Sequence, residues 1–98
     1  MRMMLKFTIP VERGNAAIGD GAIAKTLETI MTQLKPEAAY FTPTDGKRGG
    51  IVFFNLTEPS QIIEVVEPLF LDLNASTELT PVMTAEDVRK GLSKIAKH

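Results

Sequence analysis

Cysteine and tryptophan are both absent from the chain, and its one histidine is the last residue, His98. Without cysteine there is no disulfide, no thiolate metal ligand and no thiol nucleophile. Without an internal histidine, neither a histidine-based metal cluster nor a Ser-His-Asp triad can be assembled. No metal and no cofactor is therefore expected. An excess of either charge is missing too: 11 Lys+Arg against 12 Asp+Glu leave a net charge of -1. Such a balance gives no bulk field to gather nucleic acid or anionic lipid. No apolar run approaches the roughly 18 residues that cross a bilayer. The start, Met1-Arg2-Met3-Met4-Leu5-Lys6, returns to charge too soon for a signal peptide. The expected setting is cytoplasmic, without a membrane partner.

What remains has the composition of an ordinary globule, 44% hydrophobic and 23% charged over 98 residues. That length predicts one domain over residues 1–98. A domain this small buries only about 60–65% of its unfolded surface, so association would add to its stability.

Residues 3–9 alternate and stop at Pro10, which predicts a strand. From Asn15 the period changes. Ile23, Leu27, Ile30, Met31 and Leu34 fall at offsets 0, 4, 7, 8 and 11, an apolar helical stripe ended by Pro36. Asn15 or Asp20 caps this helix, and the earlier start is favoured because it places Ala16 and Gly19 on the stripe. Residues 38–43 and 50–56 read as strands joined by the turn-rich segment 44–49. Thr57 then caps a helix with Ile62, Val66, Leu69, Phe70 and Leu73 on its stripe, and Pro68 inside it predicts a kink or a restart. Residues 76–83 read as a fourth strand. Thr84-Ala85-Glu86-Asp87 resembles a capping box opening a helix with Val88, Leu92 and Ile95 on one face. Arg89, Lys90, Lys94 and Lys97 complement the C-terminal end of its dipole.

The order β-α-β-β-α-β-α predicts an α+β, ferredoxin-like sandwich. Its antiparallel sheet runs 4-1-3-2, with helices on one face and an additional C-terminal helix. Alternation sorts the strand residues into two sets. Leu5, Phe7, Ile9, Ala39, Phe41, Val52, Phe54 and Leu79 belong under the helices. The opposite face carries Met4, Lys6, Thr8, Tyr40, Ile51, Phe53 and Glu78. A solvated face does not ordinarily gather Met4, Tyr40, Ile51 and Phe53, and a second core would not hold Lys6 and Glu78. A homodimer interface accommodates both, with Lys6, Tyr40, Phe53 and Glu78 in it and Lys6 opposite Glu78 across neighbouring strands.

This layout resembles the dimeric α+β barrel superfamily, in which two ferredoxin-like sheets pack face to face. The segment Glu78-Leu79-Thr80-Pro81-Val82-Met83-Thr84-Ala85-Glu86-Asp87 is similar to the last strand and following helix of small uncharacterised bacterial members. Muconolactone isomerase-like proteins and cofactor-free monooxygenases of the antibiotic-biosynthesis type are more distant. The resemblance implies a homodimer with a ligand held between sheet and helices. No catalytic motif accompanies it, because the Trp and His on which those enzymes lean are missing here.

Remaining acid–base candidates are Glu12, Asp20, Tyr40 and Glu78, and each has a simpler structural reading. Arg13-Gly14-Asn15-Ala16-Ala17-Ile18-Gly19-Asp20-Gly21 is rich in glycine but lacks the Lys-Ser/Thr of a phosphate loop and the dinucleotide spacing. An RNA-recognition module shares the element order. Its central aromatics are missing from Arg48-Gly49-Gly50-Ile51-Val52-Phe53. Between Arg48 and Arg89 there are seven acids and no base, a poor match for phosphate. Nucleic acid is therefore not an expected partner.

Phe7, Phe41 and Phe54 come from three adjacent strands, with Phe70 near them and the small Ala16 and Gly19 above. Arg13 stands at the rim. Together Phe7, Arg13, Gly19, Phe41 and Phe54 make the expected binding site for a small aromatic or hydrophobic acid. The enzymatic alternative is a cofactor-independent isomerase or monooxygenase acting on an aromatic or lactone-like substrate.

Overall fold

The computed structural model describes residues 1–96 of the chain. Elements run β1 (Arg2–Ile9), α1 (Val11–Gly19), α2 (Ala22–Leu34), β2 (Ala38–Phe41), β3 (Arg48–Asn55), α3 (Gln61–Leu73), β4 (Ser76–Pro81) and α4 (Ala85–Ala96). The four strands form one antiparallel sheet in the order β2-β3-β1-β4, which is 4-1-3-2 counted from the other edge. It is a ferredoxin-like α+β arrangement, with α1, α2 and α3 on one face of the sheet.

Why the helices lie on that face follows from the strand alternation. Met3, Leu5, Phe7 and Ile9 of β1 and Val52 and Phe54 of β3 are buried. They meet Ala17 of α1, Ile30 and Leu34 of α2, and Val65, Leu69 and Leu73 of α3. The stripe of α2 is the expected one. That of α3 is rotated: Val65, Leu69 and Leu73 face inward, whereas Phe70 is 41% exposed. The helix also runs through Pro68 as one element, without the expected restart.

The single long helix expected from Asn15 is in fact two. Pro10 ends β1 and at once initiates α1, its carbonyl accepting from the N–H of Gly14 at 2.8 Å. Gly21, at φ 79°, breaks the path, and the Asp20 carboxylate accepts from the N–H of Ala22 at 2.9 Å to open α2. A positive φ is open to glycine at no steric cost, which is why the break falls there. In this phase Ala17 and Gly14 are buried while Ala16 and Gly19 are exposed, the reverse of the expected packing.

The loop expected between β2 and β3 is tighter than its six residues suggest. Asp45 and Gly46 both have positive φ, 53° and 75°, and Thr44 and Lys47 exchange backbone bonds of 2.7 and 3.0 Å. This is the two-residue Asp-Gly hairpin turn, whose twist matches the flanking strands. Pro43 has no N–H to offer the ladder, so regular pairing of β2 ends at Phe41 on what is an edge strand. β4 likewise ends at Pro81, and a three-residue link leads into α4. The capping box there is formed as read: Thr84 N–H donates to Asp87 Oδ2 at 2.9 Å, and Asp87 N–H donates to Thr84 Oγ1 at 3.1 Å. Lys97, expected to complement the end of α4, lies with His98 outside the described residues. Among the described residues no helix is long and apolar enough to cross a membrane.

Candidate ligand site and association surface

The sheet face away from the helices carries the residues expected at an interface. Register places Lys6 opposite Glu78, and the ammonium Nζ is 3.9 Å from Glu78 Oε2. Tyr40 lies on the β2 edge, 64% exposed, with Phe53, Ile51 and Met4 half-buried between the strands. α1–α3 cover only the opposite face. An apolar centre with one charge pair therefore remains open on this side.

At the end of this face near the hairpin lies a hollow of about 190 Å³. Its walls include Lys6, Thr8, Ile51, Ser76 and Glu78, closed at one end by Thr44 and Asp45 of the turn. Among the described residues that line it, Lys6 is the one cation, against the carboxylates of Glu78 and Asp45. Hydroxyls of Thr8, Thr44 and Ser76 supply donors and acceptors beside an apolar floor of Ile51, and the strand backbone at Phe7 and Thr77 completes the wall. Strand alternation already put Lys6, Thr8, Ile51 and Glu78 on this face, but not the turn that closes its end. The Asp-Gly pair, which folds the turn back over the sheet, was the available signal.

The five residues expected to hold a ligand between sheet and helices are distributed differently. Phe7 and Phe41 do meet, edge to face, with ring centroids 6.4 Å apart. Phe54 is fully buried in the core. Phe41, on the β2 edge, is 54% exposed. Gly19 sits at the outer end of α1, where a β-carbon would meet nothing within 4 Å. Arg13 is drawn into the helix layer: its Nε and Nη2 donate to the Asp72 carbonyl at 2.9 and 2.6 Å, and its Nη1 lies 3.5 Å from Asp20. It borders a polar surface groove with Lys25, Thr26 and Asp72, apart from the phenylalanines.

The acid–base candidates do not converge. Glu12 is exposed on α1, Asp20 ties the α1–α2 break, Tyr40 is on the β2 edge, and Glu78 faces Lys6. Two groups do have shifted ionisation. Arg2 is held more firmly charged by its hydrogen bond to Glu37, at 2.5 Å, and by that carboxylate's charge. Asp87 is held below its ordinary value chiefly by the N–H of Thr84. Both act at the foot of β1 and α4, away from the hollow. In comparisons with known proteins, no family model and no curated protein matches the chain.

Proposed function

We propose that the protein is a homodimeric binding protein of the dimeric α+β barrel type, whose two open sheet faces pack together and enclose a small aromatic ligand. The observation that carries this reading is the open sheet face itself, with Met4, Tyr40, Ile51 and Phe53 gathered around the Lys6–Glu78 pair. A second copy of the same face removes that apolar area from water, and a two-fold axis makes the contact self-complementary. The hollow near the hairpin is then roofed by the partner sheet. Its volume, about 190 Å³, suits a single-ring molecule.

Charge refines the ligand class. Arg13, the cation expected to meet an acid, already donates to Asp72 and neighbours Asp20. In the hollow, Lys6 is outnumbered by Glu78 and Asp45, so an added carboxylate would be repelled. A neutral aromatic bearing a hydroxyl or carbonyl fits better, its polar group reaching Lys6 and the threonine and serine hydroxyls. Titration with phenol and with benzoate, followed by amide shifts of Thr8, Ile51 and Ser76, tests this. The expected result is saturable shifts with phenol that Ile51→Glu abolishes. Shifts with neither probe would overturn the binding reading, and shifts with benzoate alone would restore the acid.

A further inference from the structure

The C-terminal helix is capped at its start and amphipathic along its length, yet among the described residues nothing buries any part of it. Val88, Leu92 and Ile95 form one stripe and are 41%, 57% and 70% exposed. No residue of α4 is buried. A helix of 12 residues is marginal by itself in water. Its apolar stripe therefore calls for a surface to lie against.

The body of its own chain is not that surface. The radius of gyration is 16.0 Å, against about 13 Å for a compact domain of this length. The long dimension reaches 57 Å while the others are 27 and 18 Å. Accessible area is 6564 Å², against about 5,500 Å² for a compact monomer of this mass. The excess, roughly 1,000 Å², is close to the ~800 Å² that each partner contributes to a standard interface.

A matching surface exists at the other edge of the sheet. α4 is tethered to β4, whereas Tyr40 stands exposed on the open face of β2, the opposite edge strand, with Phe41 beside it turned to the Phe7 side. Two strands, β1 and β3, lie between these two edges in its own chain. When two such sheets stack about a two-fold axis running along the strands, the β4 edge of each copy lies over the β2 edge of the other. We propose that α4 is an exchanged arm: its Val88/Leu92/Ile95 stripe packs on the β2 edge of a second copy, over that copy's Tyr40. The link 82–84 is short enough to fix the direction of the arm, and the hydrogen bond from Val82 N–H to the Arg2 carbonyl, 3.1 Å, holds its root against β1.

This inference rests on the face-to-face dimer, and the experiment separates the two. The chain has no cysteine, so introduced thiols report without background. Leu92→Cys and Tyr40→Cys chains are prepared separately, mixed, and oxidised; Leu92→Cys with Glu28→Cys, on the outer side of α2, is the control. Sedimentation of the wild type and of a chain ending at Thr84 accompanies them. The expected result is a mixed disulfide for the first pair in clear excess over the control, and a dimer dissociation constant raised at least about tenfold by the truncation. A wild-type dimer with no selective crosslink and no loss on truncation would overturn the arm and leave the face-to-face dimer standing. A wild-type monomer would overturn both.

Discussion

Glycine and threonine at particular positions decide more of this core than its size suggests. Gly50 pairs with Phe7 on one side and Phe41 on the other, and a β-carbon there would lie 2.8 Å from atoms of both rings. The rings occupy the space that a side chain would take. Gly50→Ala is expected to lose about 1–3 kcal/mol, the usual cost of forcing a packed core apart, read as a lower urea midpoint at unchanged slope. Gly19→Ala meets open space in an ordinary helical conformation, so it should instead gain about 0.4–1 kcal/mol. The two glycines look alike in the sequence, since what separates them is the ring that β1 brings across from Gly50. A second contrast concerns Thr26, the buried polar side chain of α2, whose hydroxyl donates to Asp72 Oδ2 at 3.0 Å. Thr26→Val removes the buried hydroxyl together with its need for a partner, and should cost no more than about 1 kcal/mol. Asp72→Ala leaves the hydroxyl without its acceptor and should cost more, about 1–3 kcal/mol, although Arg13 keeps its bonds to the Asp72 carbonyl. Denaturation of the two variants side by side gives the order.

Elements whose periodicity repeated over three turns or whose alternation ran unbroken were legible in the sequence: β1, β3, α2 and the sheet order that follows from them. Less legible were the places where a single residue has two roles. Pro10 stops β1 by lacking an N–H and starts α1 with its carbonyl, so the helix is capped five residues before the Asn15 cap suggested by the pattern. The α3 stripe came out rotated because eight of the thirteen residues of that helix are Ile, Val, Leu or Phe, and only contact with the sheet selects Val65 over Phe70. The capping box of α4 was readable because it is local, needing only Thr84 and Asp87 three residues apart. It also predicts an acid response. The carboxyl of Asp87 is lowered from 3.8 by the Thr84 N–H and hydroxyl, so its contribution is complete above that value and is lost as pH falls through the lower folded one. Amide exchange in the first turn of α4 should therefore accelerate below about pH 3.8. In Asp87→Asn that acceleration should be absent; its persistence would assign the response to another group.

Over the whole molecule, the sequence showed that one sheet face is mixed in character, and the fold leaves that same face uncovered. Ligand placement was less legible, because alternation tells which residues share a face but not whether the space above them is filled. Phe7 and Phe54 turned out to fill it, and the hollow lies on the other side, beneath the hairpin turn. In the proposed dimer, face, hollow and arm would all be closed between two copies, so self-association is the claim from which the rest follows. Phe53 sits near the centre of the open face, half-buried, opposite Met4 on β1 and Ala38 on β2. Replacing it by glutamate would set two carboxylates against each other across the two-fold axis without disturbing the helix-side core. Sedimentation equilibrium of wild type and Phe53→Glu at high micromolar concentration is the direct measurement. The account predicts twice the chain mass of 10.7 kDa for the wild type and the single-chain mass for the variant. A wild type that sediments at the single-chain mass would contradict it.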